Sequence, residues 1–267
     1  MHDDPDQVPH YPDLLRLDGR TLVVVGAGQG IGRQTSHALA QAGARVVCAD
    51  LDAARADQVA AEVGGIAWTG DVTREDEVAR LVAEAAAAAG GPLSGLVDIV
   101  GQAAWSPVLE LDEPTWDAQL DLCLRHAYLL STHLGRHLVD TGTPGTMVFI
   151  ASVHGLTASV RHGAYGAAKA GLVSWVKTLA SELGEQAIRA NAIAPGSVLT
   201  PRILASGTAD LRARAAALAP LRRNGLPADI AAAALVLSSD LSAFVTGQTI
   251  AVDGGITIAD PYASLLP

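Results

Sequence analysis

An apolar run that ends in a cluster of glycines constrains the fold of this chain more than any other feature. Residues 21–25 read Thr-Leu-Val-Val-Val, and residues 26–32 read Gly-Ala-Gly-Gln-Gly-Ile-Gly. Such a compact apolar run predicts a strand that is buried on both faces. Apolar residues spaced three and four apart over residues 31–42 predict a helix that ends near Gly43. The sequence therefore predicts a strand, a tight turn and a helix in immediate succession.

A strand, a glycine-rich turn and a helix together form an arrangement suited to a nucleotide phosphate. Glycines permit the tight turn and a close approach of the backbone, while the helix N-terminus offers unpaired N–H groups and a favourable dipole. A purely structural turn is the alternative, but the strand and the helix on its two sides favour nucleotide binding. The predicted contacts of this turn are Gly26, Gly28, Gln29, Gly30, Ile31 and Gly32.

Asp50 ends the next apolar run, residues 45–50, and lies 18 residues after Gly32 (50 − 32). A carboxylate at that strand end can accept hydrogen bonds from two ribose hydroxyls and repels a 2′-phosphate, which favours NAD over NADP. A solvated acid at a strand end is the alternative. The glycine turn contains no Arg or Lys that would hold a 2′-phosphate, which points the same way.

Asp71 and Val72 follow a short strand predicted over residues 66–70. Asp71 is placed either to contact the adenine edge of a nucleotide or to cap a helix predicted over residues 75–88. The residues alone leave both interpretations open.

Tyr165 and Lys169 are four residues apart on a helix predicted over residues 165–183, so their side chains share one face. A phenol has a reference pKa of about 10, and a nearby ammonium lowers that pKa and gives an acid/base group that works near neutral pH. Ser152 ends a buried strand predicted over residues 147–152, where its hydroxyl can hydrogen-bond a substrate oxygen. A Tyr-x-x-x-Lys pair by itself is usually a helix surface pair, so the catalytic interpretation depends on the motifs around it.

Strands and helices alternate along the chain without a linker or an internal repeat. Further strands are predicted near residues 96–101, 189–196 and 248–255, and further helices over residues 52–63, 116–134 and 229–241. This alternation predicts an α/β fold, a single-domain doubly wound (Rossmann) parallel sheet with helices on both faces. Ligands bind such a sheet at the carboxyl ends of its strands.

The predicted domain organisation is simple. Residues 1–16 read as a flexible N-terminal tail and residues 17–267 as one domain. Within that domain, residues 200–224 read as a lid over the substrate, because a helix-prone stretch is flanked by Thr200-Pro201, Gly207 and Pro220.

The composition of the chain argues against several classes of binding partner. The 267 residues carry 18 Lys and Arg against 28 Asp and Glu, a formal net charge of −10, with no basic cluster, which argues against nucleic acid and anionic membranes. No apolar run approaches the ~18 residues that span a bilayer, and residues 1–13 lack the pattern of a signal peptide. Cys48 and Cys123 supply neither a disulfide framework nor a metal-ligand cluster, so we expect a reduced, cytoplasmic setting and no metal.

With these residues placed, the chain resembles the short-chain dehydrogenase/reductase family in its single-domain form, over roughly residues 17–259. The motifs that carry the resemblance are a Gly-x-x-x-Gly-x-Gly turn, an adenine-side Asp, a Ser-Tyr-Lys set at the expected separation, a segment that holds the nicotinamide carboxamide, and a C-terminal signature. In this chain they are Gly26, Gly30 and Gly32; Asp71; Ser152, Tyr165 and Lys169; Pro195, Gly196 and Thr200; and residues 245–248 with residues 253–255.

The resemblance implies an NAD-dependent oxidoreductase that interconverts a secondary alcohol and a ketone by hydride transfer. Tyr165 is then the general acid or base, Lys169 lowers its pKa and binds the nicotinamide ribose, and Ser152 orients the substrate oxygen. The resemblance also implies a homo-oligomer, a dimer or tetramer, built on the helix that carries Tyr165. Further cofactor contacts are expected from Val100, Gly101, Val198, Tyr165 and Lys169.

Three positions depart from the family pattern. Val25 stands where the family usually has Thr, and Asp98-Ile99-Val100-Gly101 replaces Asn-Asn-Ala-Gly at the end of the fourth strand. Cys123 stands seven residues after Trp116 (123 − 116), where the family has an Asn that shapes a helix kink next to the lysine. The missing Asn puts the kink and a proton relay to water in question. Cys123 itself reads as a small buried core residue.

The altered fourth strand also resembles that of actinobacterial members that keep NAD bound and pass electrons to mycofactocin, a peptide-derived carrier. In physical terms, Asp98 and its neighbours would close over the cofactor and slow its release. A catalytically weak NAD-binding scaffold or sensor is the other alternative. Cys123 raises that alternative, and the intact Ser152, Tyr165 and Lys169 oppose it.

The substrate pocket is expected between residues 101–106, 153–163 and 202–218. The candidate substrate contacts are Gln102, Trp105, His154 and His162, each of which reads more readily as an exposed loop residue. The expected partner is a small or medium secondary alcohol or the corresponding ketone.

Overall fold

The computed structural model describes residue 6, residues 8–158 and residues 160–260. Of the predicted flexible tail, residues 1–5 and 7 lie outside the described residues, and Tyr11–Leu15 form a short 3-10 helix. The last residues of the predicted domain, 261–267, also lie outside them.

A seven-stranded sheet forms the centre of the molecule, with the strand order β3-β2-β1-β4-β5-β6-β7. Every neighbouring pair of these strands is parallel. The strands are β1 Thr21–Val25, β2 Arg45–Asp50, β3 Ile66–Thr69, β4 Gly95–Asp98, β5 Gly145–Ile150, β6 Ile188–Pro195 and β7 Thr249–Val252. The predicted α/β doubly wound parallel sheet is therefore confirmed.

Helices cover both faces of the sheet. Within the described residues they are α1 Gly30–Gln41, α2 Ala53–Val63, α3 Glu75–Ala89, α4 Glu113–Leu120, α5 His126–Thr141, α6 Gly163–Leu183, α7 Pro201–Ser206, α8 Ala209–Leu218 and α9 Pro227–Ser238. None of the helices in this part of the chain is long and apolar enough to cross a membrane.

Alternate residues of β1 pack into two separate hydrophobic cores, one on each face of the sheet. Val23 and Val25 pack with residues of α3, α5 and α6 on one face of the sheet. Leu22 and Val24 pack with residues of α1, α2 and α9 on the other. Because successive side chains of a strand point to opposite faces, a run with no polar residue is what a strand covered on both sides requires.

The chain reverses its direction of travel across the sheet at β1. From β1 it moves outward through β2 to β3, then returns to place β4 on the other side of β1. The carboxyl ends of β1 and β4 therefore open a crevice, the topological switch point at which doubly wound sheets bind ligands. The glycine turn that follows β1 lies at this crevice.

Local sequence accounts for most helix boundaries. Asp52 caps α2 by accepting a hydrogen bond from the Arg55 N–H, and Gly64 ends that helix with φ of 64°. Gly90, with φ of 67°, ends α3 in the same left-handed conformation. A residue with a side chain adopts this conformation only at an energetic cost, so the glycines fix where these helices stop.

The helix predicted over residues 116–134 is two helices joined by a π-helical turn. Asp121–Arg125 form that turn between α4 and α5, which continues to Thr141. The helix is thus interrupted here although Cys123 replaces the family's Asn, and the expected effect on a proton relay stays a prediction. Leu124 instead packs closely on Gly171 of α6, where an added Cβ would lie 3.0 Å from a Leu124 methyl carbon.

We expect Phe149→Ala to lower the free energy of unfolding by about 3–5 kcal/mol, because its ring is fully buried near the carboxyl end of β5. Phe244→Ala is the matched control, since that side chain is fully exposed and its loss should change stability by less than about 0.5 kcal/mol. Denaturant unfolding of both variants measures the difference. Equal effects of the two substitutions would contradict the described core.

Candidate active site

A cleft of ≈ 470 Å³ opens at the carboxyl ends of β1, β2 and β4. It contains ten of the predicted cofactor contacts: Gly26, Gln29, Gly30, Ile31, Asp50, Asp71, Val72, Val100, Gly101 and Thr200. The other seven do not line it: Gly28 and Gly32 lie within the glycine turn, Tyr165 and Lys169 lie on α6, Pro195 ends β6, Gly196 packs on Asp253, and Val198 is buried and pairs with Gly225. The cleft is the size of a small-molecule or cofactor site.

The glycine turn is possible only without side chains. A Cβ added to Gly32 would lie 1.9 Å from the Gly26 carbonyl oxygen, closer than any real contact. Gly26 and Gly30 adopt positive φ values of 80° and 56°. Each glycine therefore serves the predicted purpose, because the first turn of α1 packs directly on the end of β1.

The Asp50 carboxylate supports this turn. Its Oδ2 accepts a hydrogen bond of 2.7 Å from the Gly28 N–H, and its Oδ1 accepts one of 3.0 Å from the Asp52 N–H. Each oxygen retains a further acceptor site that can face a ligand in the cleft. Asp50 is therefore placed as predicted and has a structural task that the sequence did not reveal.

Arg55 is a cleft residue that sequence reasoning missed. It lines the cleft opposite Asp50 and forms an ion pair of 3.3 Å with Asp52. The available signal was its position in the first turn of α2, three residues after the Asp52 cap, which turns it toward the end of β2.

Asp71 lines the cleft and does not cap the following helix. Its Oδ1 accepts hydrogen bonds from the N–H and the hydroxyl of Thr73, at 2.9 Å and 2.7 Å. Arg74 is the N-cap residue of α3. Of the two interpretations that the sequence left open, the capping one was wrong, because Asp71 lies too far before the first turn.

Lys169 is almost completely buried and its ammonium bonds to two strand-end carbonyls. Nζ donates to the Ile150 carbonyl at 2.7 Å and to the Val100 carbonyl at 3.4 Å. A Cβ on Gly101 would lie 3.0 Å from Nζ, so the backbone passes close to the charge. These contacts bring the ammonium to the point where β5 and the segment after β4 meet the cleft.

Ser152 and Tyr165 lie beside this lysine. The Ser152 side chain hydrogen-bonds the Tyr165 hydroxyl, and the Ser152 Oγ also accepts from the His154 N–H at 3.1 Å. The Lys169 Nζ lies 5.9 Å from the centre of the Tyr165 ring. The structure thus brings together the three residues that the sequence predicted as catalytic.

The pKa of Tyr165 is shifted upward, whereas the sequence predicted a downward shift. Burial raises this pKa to about 12, and the hydrogen bond from Ser152 only partly opposes the rise. The expectation that Lys169 lowers it was wrong for this arrangement, because the ammonium is directed at the two carbonyls. Burial also lowers the pKa of Lys169, with Cys123 and Asp98 acting against that change.

Trp105 packs with two histidines, His154 and His162. We call these three side chains the imidazole cluster. The His162 ring centre lies 4.1 Å from that of Trp105 and 4.7 Å from that of His154. Both imidazoles lie 6.1–6.2 Å from the Tyr165 ring. Burial lowers the pKa of each histidine, so both are neutral at neutral pH.

Gln102, the fourth predicted substrate contact, is not part of this cluster. It lines the cofactor cleft, and its carbonyl lies 3.7 Å from the Cys123 sulfur. Cys123 is fully buried, as predicted, and burial raises the pKa of its thiol. A buried thiol with a raised pKa is unreactive, which agrees with a packing role.

Asp98 does not close over the cleft. Its side chain is buried and lies 2.9 Å from His126, while Ile99, Val100 and Gly101 line the cleft. The hypothesis was therefore wrong for Asp98 itself, whereas its neighbours do line the cleft and slow release of the cofactor stays a prediction. Arg202 of α7 is the residue that reaches across, donating a hydrogen bond of 3.4 Å to the Gly101 carbonyl.

Comparisons with known proteins agree with this geometry. The family model described as enoyl-(acyl carrier protein) reductase matches residues 26–257. Cis-4-hydroxycyclohexanecarboxylate dehydrogenase of Sinomonas cyclohexanicum is 39% identical over 244 residues, covering 89% of this chain and 96% of the relative. D-threitol dehydrogenase of Mycolicibacterium smegmatis is 36% identical over 249 residues, covering 91% and 95%.

A solved structure shows the same fold. That of 7α-hydroxysteroid dehydrogenase complexed with NADH and 7-oxo glycochenodeoxycholic acid has a TM-score of 0.86 and 33% identity, covering 91% of this chain and 96% of that one. A parallel sheet with a glycine turn, a cleft and a nearby Ser-Tyr-Lys set defines a class of nucleotide-dependent oxidoreductases. The chain belongs to the short-chain dehydrogenase/reductase family. It is an oxidoreductase that acts on CH–OH groups.

Members of this family use a nicotinamide nucleotide, and the residues present fit such a group. Side chains are absent where the nucleotide would approach the backbone, since a Cβ on Gly28 would lie 2.7 Å from the Asp50 carboxylate. The N-terminus of α1 faces the same cleft, because Gly30 and Ile31 line it. Unpaired N–H groups there suit a pyrophosphate.

We expect Gly32→Ala to abolish nucleotide binding, because the added methyl group would displace the Gly26 carbonyl and open the turn. Gly184→Ala is the matched control, since its φ is −62° and no atom lies within 4 Å of its added Cβ. Isothermal titration with NAD(H) and NADP(H) measures both variants. Unchanged nucleotide affinity of Gly32→Ala, with Gly184→Ala also unchanged, would contradict the assigned role of the turn.

Proposed function

We propose that this enzyme is an NAD-dependent dehydrogenase of secondary alcohols, with Ser152, Tyr165 and Lys169 as its catalytic residues. The observation that carries the proposal is the meeting of these three side chains next to the cleft, with the Lys169 ammonium bound to the carbonyls of Ile150 and of the cleft residue Val100. Gathering a phenol, a hydroxyl and an ammonium at the switch point of the sheet supplies proton transfer beside a nucleotide site.

Each of the three side chains has its own role at the substrate oxygen. When bound, the nicotinamide supplies the hydride donor or acceptor. Tyr165 transfers the proton of the alcohol through its hydroxyl, and Ser152 donates a hydrogen bond that stabilises charge on the same oxygen. Lys169 supplies a fixed positive charge behind the phenol and holds the strand ends in place.

The raised pKa of Tyr165 sets the direction of the pH dependence. A phenol with a pKa of about 12 is protonated at neutral pH, which is the form that donates a proton in ketone reduction. Alcohol oxidation needs the deprotonated form, whose fraction grows as pH rises toward that pKa. Oxidation therefore gains from alkaline pH and reduction does not.

We expect Tyr165→Phe to lower kcat by at least about a hundredfold, because it removes the group that transfers the proton. The affinity for NAD should change little, since the ring and Lys169 remain. Tyr128→Phe is the matched control: Tyr128 is half-exposed and packs edge-on against Trp175, at 5.9 Å between ring centres. Steady-state kinetics from pH 6 to 10 measure both. Oxidation that is equally fast in Tyr165→Phe would refute the role of Tyr165.

Asp50 supports the choice of NAD over NADP within this proposal. Its carboxylate lies at the end of β2, on the wall of the cleft, where a 2′-phosphate would meet a negative charge. Two arginines line the cleft: Arg55 is paired with Asp52, and Arg202 donates to the Gly101 carbonyl. Repulsion by Asp50 therefore dominates.

The imidazole cluster supports a ring-bearing substrate. Three aromatic rings and the Tyr165 ring form a largely apolar wall, and the two neutral imidazoles place no net charge there. A linear polyol would leave several hydroxyls without partners against such a wall, at a cost for each buried one. Among the relatives, cis-4-hydroxycyclohexanecarboxylate dehydrogenase is named for a ring alcohol and D-threitol dehydrogenase for a linear polyol.

The corresponding test is a substrate panel with cyclohexanol, cis-4-hydroxycyclohexanecarboxylate, threitol and galactitol, each with NAD and with NADP. We expect the highest kcat/KM for the ring alcohols with NAD. Trp105→Ala should lower kcat/KM for ring alcohols by about tenfold or more, through loss of apolar contact. A preference for threitol or galactitol would overturn the substrate proposal, and a preference for NADP would overturn the cofactor proposal.

The proposal includes a homo-oligomer in the cytoplasm. The outer face of α5 and α6 carries the half-exposed Tyr128 and the partly exposed Val173 and Trp175, an apolar surface available for a second copy. Both cysteines are free and buried, in keeping with a reducing compartment.

A further inference from the structure

Two residues far apart in sequence form a buried pair directly behind the active site. Asp98 is the last residue of β4, and His126 is the first residue of α5, just after the π-helical turn. The His126 Nε2 lies 2.9 Å from the Asp98 Oδ2, and the side chains are 0% and 1% exposed. Neither ring nitrogen makes an aligned hydrogen bond to the described residues, so the contact is defined by its short distance.

A short chain of contacts connects this pair to Lys169. The second oxygen of Asp98, Oδ1, accepts a hydrogen bond of 3.1 Å from the Val100 N–H. The carbonyl of the same residue, Val100, receives the Lys169 ammonium at 3.4 Å. Val100 also lines the cofactor cleft. One residue is therefore fixed by Asp98 through its N–H, bound by Lys169 through its carbonyl, and exposed to the nucleotide site.

We propose that the Asp98–His126 pair positions Lys169 and the cofactor-facing Val100, with Asp98 fixing the strand end and His126 holding the buried carboxylate in place. This inference rests on the proposed function, in which Lys169 acts beside the reacting phenol. Asp98 and His126 touch neither substrate nor cofactor, so they are positioning residues.

Electrostatics give the pair a second effect on Lys169. The groups that face this ammonium are the Cys123 thiol, the Asp98 carboxylate and the Tyr165 ring. Cys123 and Asp98 both raise the pKa of Lys169 against the larger lowering by burial, so Asp98 helps to keep the lysine charged. Among the residues described, Asp98 is the carboxylate that performs this task.

Stability alone does not account for such a pair. Desolvation of two buried charges offsets most of their attraction, and a neutral pair of similar size is often as stable. Removing one partner leaves a buried charge uncompensated, whereas removing both does not. We therefore expect loss of the pair to change the titration midpoint of Lys169 more clearly than it changes the melting temperature of the double variant.

The chain offers an unusually direct measurement, because Lys169 and Lys177 are its only lysines. Protein labelled with 13C in the lysine side chains gives one signal from each, and Lys177, which is exposed, is the internal reference. In Asp98→Asn we expect the NMR titration midpoint of Lys169 to fall while that of Lys177 stays unchanged. We also expect kcat to fall by about ten- to hundredfold, since small displacements at a reacting group have effects of that size.

Two further variants make the result decisive. Asp98→Asn/His126→Asn removes both titratable groups together, and we expect it to fold and to show the same lowered Lys169 midpoint and kcat. Asp240→Asn is the matched control, because it breaks the 2.6 Å ion pair with Arg20 just before the amino end of β1 and should leave both readouts unchanged. If Asp98→Asn does not fold, the double variant alone decides.

The inference is overturned if the folded variants keep the wild-type Lys169 midpoint and kcat and lose only thermal stability. The lysine titration needs no substrate, so it tests the pair even if the wild-type enzyme oxidises no alcohol of the panel. That inactivity would count against the proposed function and not against the pair.

Discussion

The burial of one ammonium group at the ends of two strands is the constraint on which this site depends. Lys169 extends from α6 into the sheet and donates to the carbonyls of Ile150 and Val100, at 2.7 Å and 3.4 Å. Ile150 is the last residue of β5, and Val100 lies two residues after the end of β4. The lysine therefore supplies a hydrogen-bond donor to these two carbonyls, and the same contacts hold its charge next to the cleft.

This use of the lysine changes how the phenol beside it must be understood. A Tyr-Lys pair on one helix face suggests a phenol acidified by its neighbour, yet burial is the larger effect and raises the Tyr165 pKa to about 12. Ser152 is the group that opposes the rise by hydrogen bonding. The site is thus prepared for a protonated phenol, and the positive charge of Lys169 is directed first at the backbone. Sequence proximity established which groups meet, and burial decided their charge.

The departures from the family pattern become understandable together. Asn is absent at the π-helical turn, yet the turn forms, with Cys123 buried inside it and Leu124 packed on Gly171. Three residues after Cys123 comes His126, which pairs with Asp98, itself at the strand end where the family usually has Asn. The acid and the histidine thus lie in contact behind the residue that binds the Lys169 ammonium.

Local patterns in the sequence were sufficient for the sheet, the glycine turn and the convergence of Ser152, Tyr165 and Lys169. Apolar runs, glycine positions and a four-residue spacing act over a few residues, so they can be interpreted along the chain. Only the tertiary structure decided the Asp98–His126 pair, whose members are 28 residues apart (126 − 98), and the imidazole cluster above Tyr165. It also decided the capping question at Asp71 and the pKa of Tyr165. The physical reason is that desolvation and charge pairing depend on which distant segments exclude water from a group, and no short-range pattern contains that information.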